Sequence, residues 1–185
     1  MTMTSYKWTI ERYHQALSAG LFDDQSIELL RGELIVMSPE REPHAYANSE
    51  AGDYLRSRLG NRAKVREAHP ITLQNDSEPV PDLAIVKPLG AAYRERHPVP
   101  EDIFWVIEFS DSTLSKDLTE KKAIYAAAGI LEYWVVNLKN SELIVFRDLE
   151  NGRYVTEAVY KTGVVFPLAF NDLPIQVQRL INVAM

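Results

Sequence analysis

The chain has 185 residues, of which 46% are hydrophobic and 25% charged; it has no cysteine and a formal net charge of −6. This length and composition suit a soluble globular protein, with residues 1–185 expected to form one domain. They exclude a disulfide framework, a thiolate metal site and a membrane span of roughly 20 apolar residues, and the acidic total argues against broad attraction to nucleic acid while allowing a local basic groove.

The start, Met1 to Lys7, is polar and lacks the charged-then-apolar order of a signal peptide, so a cytoplasmic location with no membrane partner is expected. Thr9 can cap a short helix with Ile10, Tyr13 and Leu17 on its apolar side and Gly20 at its end. Ile27–Leu30 and Glu33–Met37 flank Arg31-Gly32 and predict a β-hairpin, in which alternation makes Glu28 a solvated residue. Ser38–Pro43 is a loop by composition. Ala47, Ala51, Tyr54, Leu55 and Leu59 give the buried face of a helix from His44 to Leu59, stopped by Gly60.

Strands are expected near Ala63–Glu67, Ile71–Leu73 and Val80–Val86, with a turn at Asn75–Pro79 and Asp82 at the start of the third. Lys87–Glu101 contains three prolines and should leave the sheet. An apolar run from Trp105, a helix from Leu114 to Gly129 and a second apolar run to Asn137 form a strand–helix–strand unit. Leu143–Phe146, Tyr154–Tyr160 and Val164–Phe166 predict an antiparallel meander, while the tail from Asn171 fits strand or helix equally.

The helix of the central unit carries the sharpest signal. Turning about 100° per residue places Leu114, Leu118, Tyr125 and Ala128 in one stripe, with Lys121 in its middle. A lysine aimed at the sheet requires a counter-charge, and Glu108, on the preceding strand, is nearest by chain path. Asp82 and Glu108 on adjacent strands could hold a hard cation such as Mg²⁺, with Lys121 orienting water or stabilising charge on a phosphate. The alternative from the residues alone is a structural ion pair between Glu108 and Lys121 and a turn role for Asp82. Arg56, Arg58, Arg62, Lys64 and Arg66 form a basic run with no intervening acid. Arg58, Arg62 and Lys64 are candidate nucleic-acid contacts and Tyr93–His97 a second contact loop, against a merely solvated cluster.

Pro81-Asp82 followed by Glu108-Phe109-Ser110 resembles the PD-(D/E)XK nuclease core, with serine in place of the usual lysine. Lys121 matches the migrated form of that motif, in which a helical lysine fills the vacated space. More narrowly, Glu28–Glu33, Met37-Ser38-Pro39, His44, Val80–Leu83, Ile107-Glu108, Ser112-Thr113, Asp117, Glu120-Lys121, Tyr125 and Glu132-Tyr133-Trp134 resemble the restriction endonuclease-like family called Uma-two, over about residues 8 to 150. The resemblance implies an α/β fold with a restriction-endonuclease-like mixed sheet flanked by helices, here with an added antiparallel hairpin and a C-terminal meander. It also implies a Mg²⁺- or Mn²⁺-dependent endonuclease acting on DNA, with metal on Asp82 and Glu108 and Lys121 beside it. Glu33 and His44 match further recurring positions as candidate catalytic groups. The chain departs from the family where members often carry a proline after the strand glutamate, having Ser110-Asp111-Ser112 instead.

Two other readings stand beside the endonuclease: a catalytically inactive nuclease-fold module that binds nucleic acid or a protein partner, and a hydrolase of another phosphoester. A two-strand cutter would pair two copies, so a homodimer accompanies the first reading.

Overall fold

The computed structural model describes residues 5–73 and 76–181, so the turn expected from Asn75 begins outside the described residues. Helix α1 (Ile10–Ser18) starts at Thr9, whose side chain accepts from the Arg12 backbone. Strands β1 (Ile27–Leu30) and β2 (Glu33–Val36) pair antiparallel with Leu30 opposite Glu33. Arg31 and Gly32 both have positive φ, 48° and 75°, the primed-turn geometry that a two-residue hairpin favours. A side chain at Gly32 would meet Lys7 Cβ at 2.8 Å, so close approach as well as φ requires glycine there.

Helix α2 spans Glu42–Leu59 and begins two residues before the expected His44. Pro43 lies within its first turn, where no intrahelical N–H bond is forfeited, so the preceding loop ends at Arg41. The main sheet has the order β3-β4-β5-β6-β7-β8, formed by Lys64–Glu67, Leu83–Val86, Ile103–Ser110, Tyr133–Asn137, Glu142–Glu150 and Arg153–Tyr160. Only β5 and β6 are parallel; the other neighbours are antiparallel. The expected strand–helix–strand unit is therefore the crossover at the centre of a mixed sheet.

That crossover contains α3 (Leu114–Lys116), a π-helical turn (Asp117–Lys121) and α4 (Lys122–Ala127). Gly129, at φ +85°, comes after the last turn, as the expected stop does. Both faces of the sheet are covered. On one, Ala47, Ala51, Leu55 and Leu59 of α2 join Ile85, Trp105, Ile107, Phe109, Trp134 and Val136. On the other, Ile124, Tyr125 and Leu30 join Ala84, Val106, Tyr133 and Val135. Alternate residues of β6 enter opposite cores, which explains its unbroken apolar sequence.

Several boundaries differ from expectation. Ile71–Leu73 is not a strand: Leu73 makes an isolated bridge to Ser77, and Ile71 and Leu73 fill the core from a loop. Prolines 79 and 81 supply no N–H to a ladder, so β4 begins at Leu83, after Asp82. Val164–Val165 does not extend the β7–β8 hairpin; it forms β9, paired with β10 (Ile175–Gln176) in a separate two-stranded sheet. The tail uses both undecided states, β10 and then the helical turn α5 (Gln178–Ile181). Among the described residues no helix is long and apolar enough to cross a membrane.

Glu132, just before β6, is fully buried and bound by Arg147, by Trp134 Nε1 at 2.7 Å and by the Leu168 backbone at 2.7 Å. These contacts tie the second half of the crossover to β7 and the C-terminal segment. A buried carboxylate so completely paired is costly to strand, which makes this end of the sheet a firm base for the opposite end.

Candidate active site

The end of β5 and the start of β4 meet where Leu83 faces Ile107, so antiparallel pairing carries Asp82 beside Glu108. Phe109 donates its backbone N–H to Asp82 Oδ2 at 2.6 Å, and the Asp82 N–H lies 3.5 Å from Glu108 Oε2. Glu108 is buried, whereas Asp82 and His44 are half-buried. Of the two acids, Asp82 is therefore the one accessible from solvent.

Lys121 points inward, as its place in the apolar stripe predicts, and donates to Glu108 Oε1 at 2.9 Å. Tyr125, one turn further on, donates to the same oxygen at 2.6 Å. Both donors engage Oε1, and among the described residues Oε2 has only the long contact to Asp82 N. Asp82 Oδ1 has no hydrogen-bond partner among the described residues, because His44 and Phe109 both engage Oδ2. Two carboxylate oxygens thus keep lone pairs available for a hard cation, the donor type that Mg²⁺ and Mn²⁺ prefer.

Ser110 occupies the position of the usual motif lysine. Its hydroxyl donates to Asp117 Oδ2 at 2.7 Å, and Thr113 donates to the same oxygen at 2.7 Å. Asp117 and Lys121, at the two ends of the π turn, are both buried. A π-helical turn adds a residue to the helical repeat and so re-aims the side chains of the next turn, a feature often found at functional sites.

Glu28 corrects the expectation of a solvated hairpin residue: it is 1% exposed. Its Oε1 accepts from Lys116 Nζ at 2.8 Å, and its Oε2 accepts from Val80 N at 3.2 Å and lies 3.8 Å from Lys121 Nζ. β1 is covered on both faces, with Leu29 bridging the segment at Glu78, so simple alternation does not apply to it. The signal available in the sequence was the presence of two lysines, Lys116 and Lys121, on the crossover facing a hairpin with an acid.

Burial pushes the Glu108 carboxyl up to about 8, with Asp82 and Asp117 adding to the rise and Lys121 opposing it. Burial works against the Lys121 ammonium, but Glu108, Glu28, Asp117 and Asp82 together outweigh it and raise its pKa. The lysine therefore keeps its proton, and the carboxylate beside it is the group whose charge responds to any ion entering the cleft.

His44 Nε2 lies 3.1 Å from Asp82 Oδ2, and this hydrogen bond, against the effect of burial, raises the imidazole pKa to about 9. Its buried Nδ1 has no hydrogen-bond partner among the described residues, but Glu40 lies 3.6 Å away, within ion-pair reach. Glu40, His44 and Asp82 each offer a ligand atom within 4.8 Å of the others, forming a second donor set that shares Asp82. Because the folded pKa lies above the unfolded value, the His44 pairing stabilises the protein fully below about pH 6.5 and is lost as pH rises through about 9. In metal-free buffer, wild type minus His44→Gln stability should fall across that window; a flat difference in thermal unfolding would show that the pairing does not form.

Glu33 lies apart from these contacts: it is exposed and paired with Lys7 at 2.5 Å, which lowers its carboxyl pKa. Arg58 donates to Pro174 O at 3.3 Å, and Arg62 pairs with Asp172 at 2.7 Å and stacks over Phe170. Lys64 is exposed and has no charged partner among the described residues.

The Uma2, or Uma-two, family model, described as "Putative restriction endonuclease", matches residues 10–179. The chain belongs to the Uma2 family. Among solved structures, the Uma2 chain is similar to one described as a putative nuclease belonging to DUF820 from Anabaena variabilis ATCC 29413. The two share 17% identity and a TM-score of 0.66, over 86% of this chain and 92% of the other. That likeness establishes the restriction-endonuclease-like mixed α/β fold. No curated protein matches the sequence.

Proposed function

We propose that this Uma2 protein is a metal-dependent endonuclease that hydrolyses DNA phosphodiester bonds at the cleft between Asp82 and Glu108. The observation that carries the proposal is the division of labour on Glu108: Lys121 and Tyr125 bind Oε1, while Oε2 and Asp82 Oδ1 keep capacity for a ligand. A charged lysine on one oxygen of Glu108, with a second acid held against the backbone of the next residue, is more than a closed ion pair requires.

Asp82 and Glu108 would hold Mg²⁺ or Mn²⁺, with His44 and Glu40 in reach of the same carboxylate. When bound, such a cation acidifies a coordinated water and neutralises charge on the phosphate. Lys121 orients Glu108 and places a positive charge where the phosphate gains negative charge in the transition state. His44, protonated at neutral pH, pairs with Asp82 through Nε2 and lies 3.6 Å from Glu40 through Nδ1, so it sets a positive charge beside the carboxylate that would meet the phosphate. Glu28 holds Lys116 and Lys121 in place rather than meeting substrate.

Incubating end-labelled DNA with the protein and Mg²⁺ or Mn²⁺ tests the reading. Internal cleavage that EDTA abolishes is expected. DNA binding without cleavage under either metal would instead favour a catalytically inactive nuclease-fold module.

A further inference from the structure

The outer edge of the main sheet carries a groove of about 670 Å³, lined in part by Arg56, Lys64, Arg66, Gly90 and Tyr93. Its lining includes three cations and no carboxylate, in a chain whose net charge is −6. Arg56 is held by Asp53 and Glu67. Arg66 is different: its Nε is buried without a hydrogen-bond partner, no acid pairs with it among the described residues, and its guanidinium rests 5.5 Å from the centre of the Tyr93 ring. A half-buried cation left without an anion costs free energy unless a ligand supplies one.

Strand register relates the groove to the cleft. Arg66 lies opposite Ala84 and Lys64 opposite Val86, two and four residues beyond Asp82 along the adjoining strand. Directly opposed residues share a sheet face, and residues two apart share it too, so Lys64 and Arg66 belong to the same face, and Asp82 directly precedes the strand they pair with. At about 3.4 Å per residue these positions lie about 7 and 14 Å from Asp82 along the strand. Phosphates of one DNA strand recur about every 3.4 Å along the helix axis, so the spacing suits phosphates about two and four nucleotides from the reacting one.

We propose that this groove binds the phosphates of the DNA strand leading to the Asp82–Glu108 cleft, with Arg66 and Lys64 as the contacts and the Tyr93 ring steadying the guanidinium. The inference rests on the endonuclease reading, and it replaces a footprint over Arg58 and Arg62, which the C-terminal segment already engages, with one centred on Lys64 and Arg66. Because the contacts are to phosphate, they set position and affinity without reading base sequence.

The test is the salt dependence of binding of a fluorescein-labelled DNA duplex, measured by anisotropy with Ca²⁺ as a hard cation for the carboxylates. Wild type is compared with Lys64→Gln and with the Lys64→Gln/Arg66→Gln double variant. The slope of log affinity against log salt should flatten by about 0.9 in the single variant and about twice that in the double one. Lys64 is exposed, so its variant tests the proposal even if the double variant folds poorly, which thermal unfolding would reveal. Unchanged slopes in both variants, or a wild type that binds no duplex, would overturn the groove. Mn²⁺-supported cleavage by the same wild-type preparation reports separately on the catalytic cleft, so the two readings can fail independently.

Discussion

Lys121→Met should lower phosphodiester cleavage by about 10²–10³-fold, the loss typical when one preorganised electrostatic group is removed from a transition state. Methionine keeps a long apolar stem against Leu118 and Tyr125 while deleting the ammonium that contacts Glu108 and faces Glu28. The same change strands buried acids, so metal-free stability should fall by about 3–5 kcal/mol where Glu108 remains ionised. Proton uptake offers an escape, because burial already raises the Glu108 pKa and loss of the lysine removes the charge opposing that rise. A carboxyl with a raised folded pKa favours the folded state at low pH, so the deficit should be small near pH 5 and grow as pH rises. Lys122→Met is the control: Lys122 contacts Glu157 and the Phe146 ring, away from the cleft, and its loss should leave cleavage near wild type. If Lys121→Met cleaves as fast as wild type, the lysine has only a structural role.

Asp82→Asn should weaken Mn²⁺ binding by about 100-fold or more, since even residues supporting a metal ligand typically cost 10–100-fold. The amide preserves size and can still accept the Phe109 backbone N–H, so folding should survive. Isothermal titration calorimetry distinguishes the outcomes. Equal affinity in wild type and variant would place any bound metal elsewhere.

Much of this arrangement was legible in the sequence because the decisive signals were local. Lys121 could be aimed inward because the Leu114, Leu118 and Tyr125 stripe fixed its face, and Glu108 was then the nearest counter-charge. Arg31-Gly32 announced its turn because few dipeptides accept two positive φ values. Glu28 was misread because the period-two rule assumes one wet face, whereas β1 is covered on both. Arg58 and Arg62 looked available because their partners, Pro174 and Asp172, lie more than 100 residues away in sequence. The π turn left no signature in a stripe that an ordinary α-helix also explains. The free oxygens on Asp82 and Glu108 required atomic positions, since which carboxylate oxygen a donor selects is set by packing.

If Asp82 and Glu108 form a metal-dependent phosphodiesterase centre, Mn²⁺-supported cleavage of end-labelled DNA by wild type and Asp82→Asn prepared in parallel will reveal it. Internal cleavage by wild type that stops on adding EDTA is expected, and its loss in the variant, which stays folded but unfolds at a lower temperature because the His44–Asp82 pairing is gone. Equal cleavage by both proteins, or none by a folded and metal-supplied wild type, would contradict it.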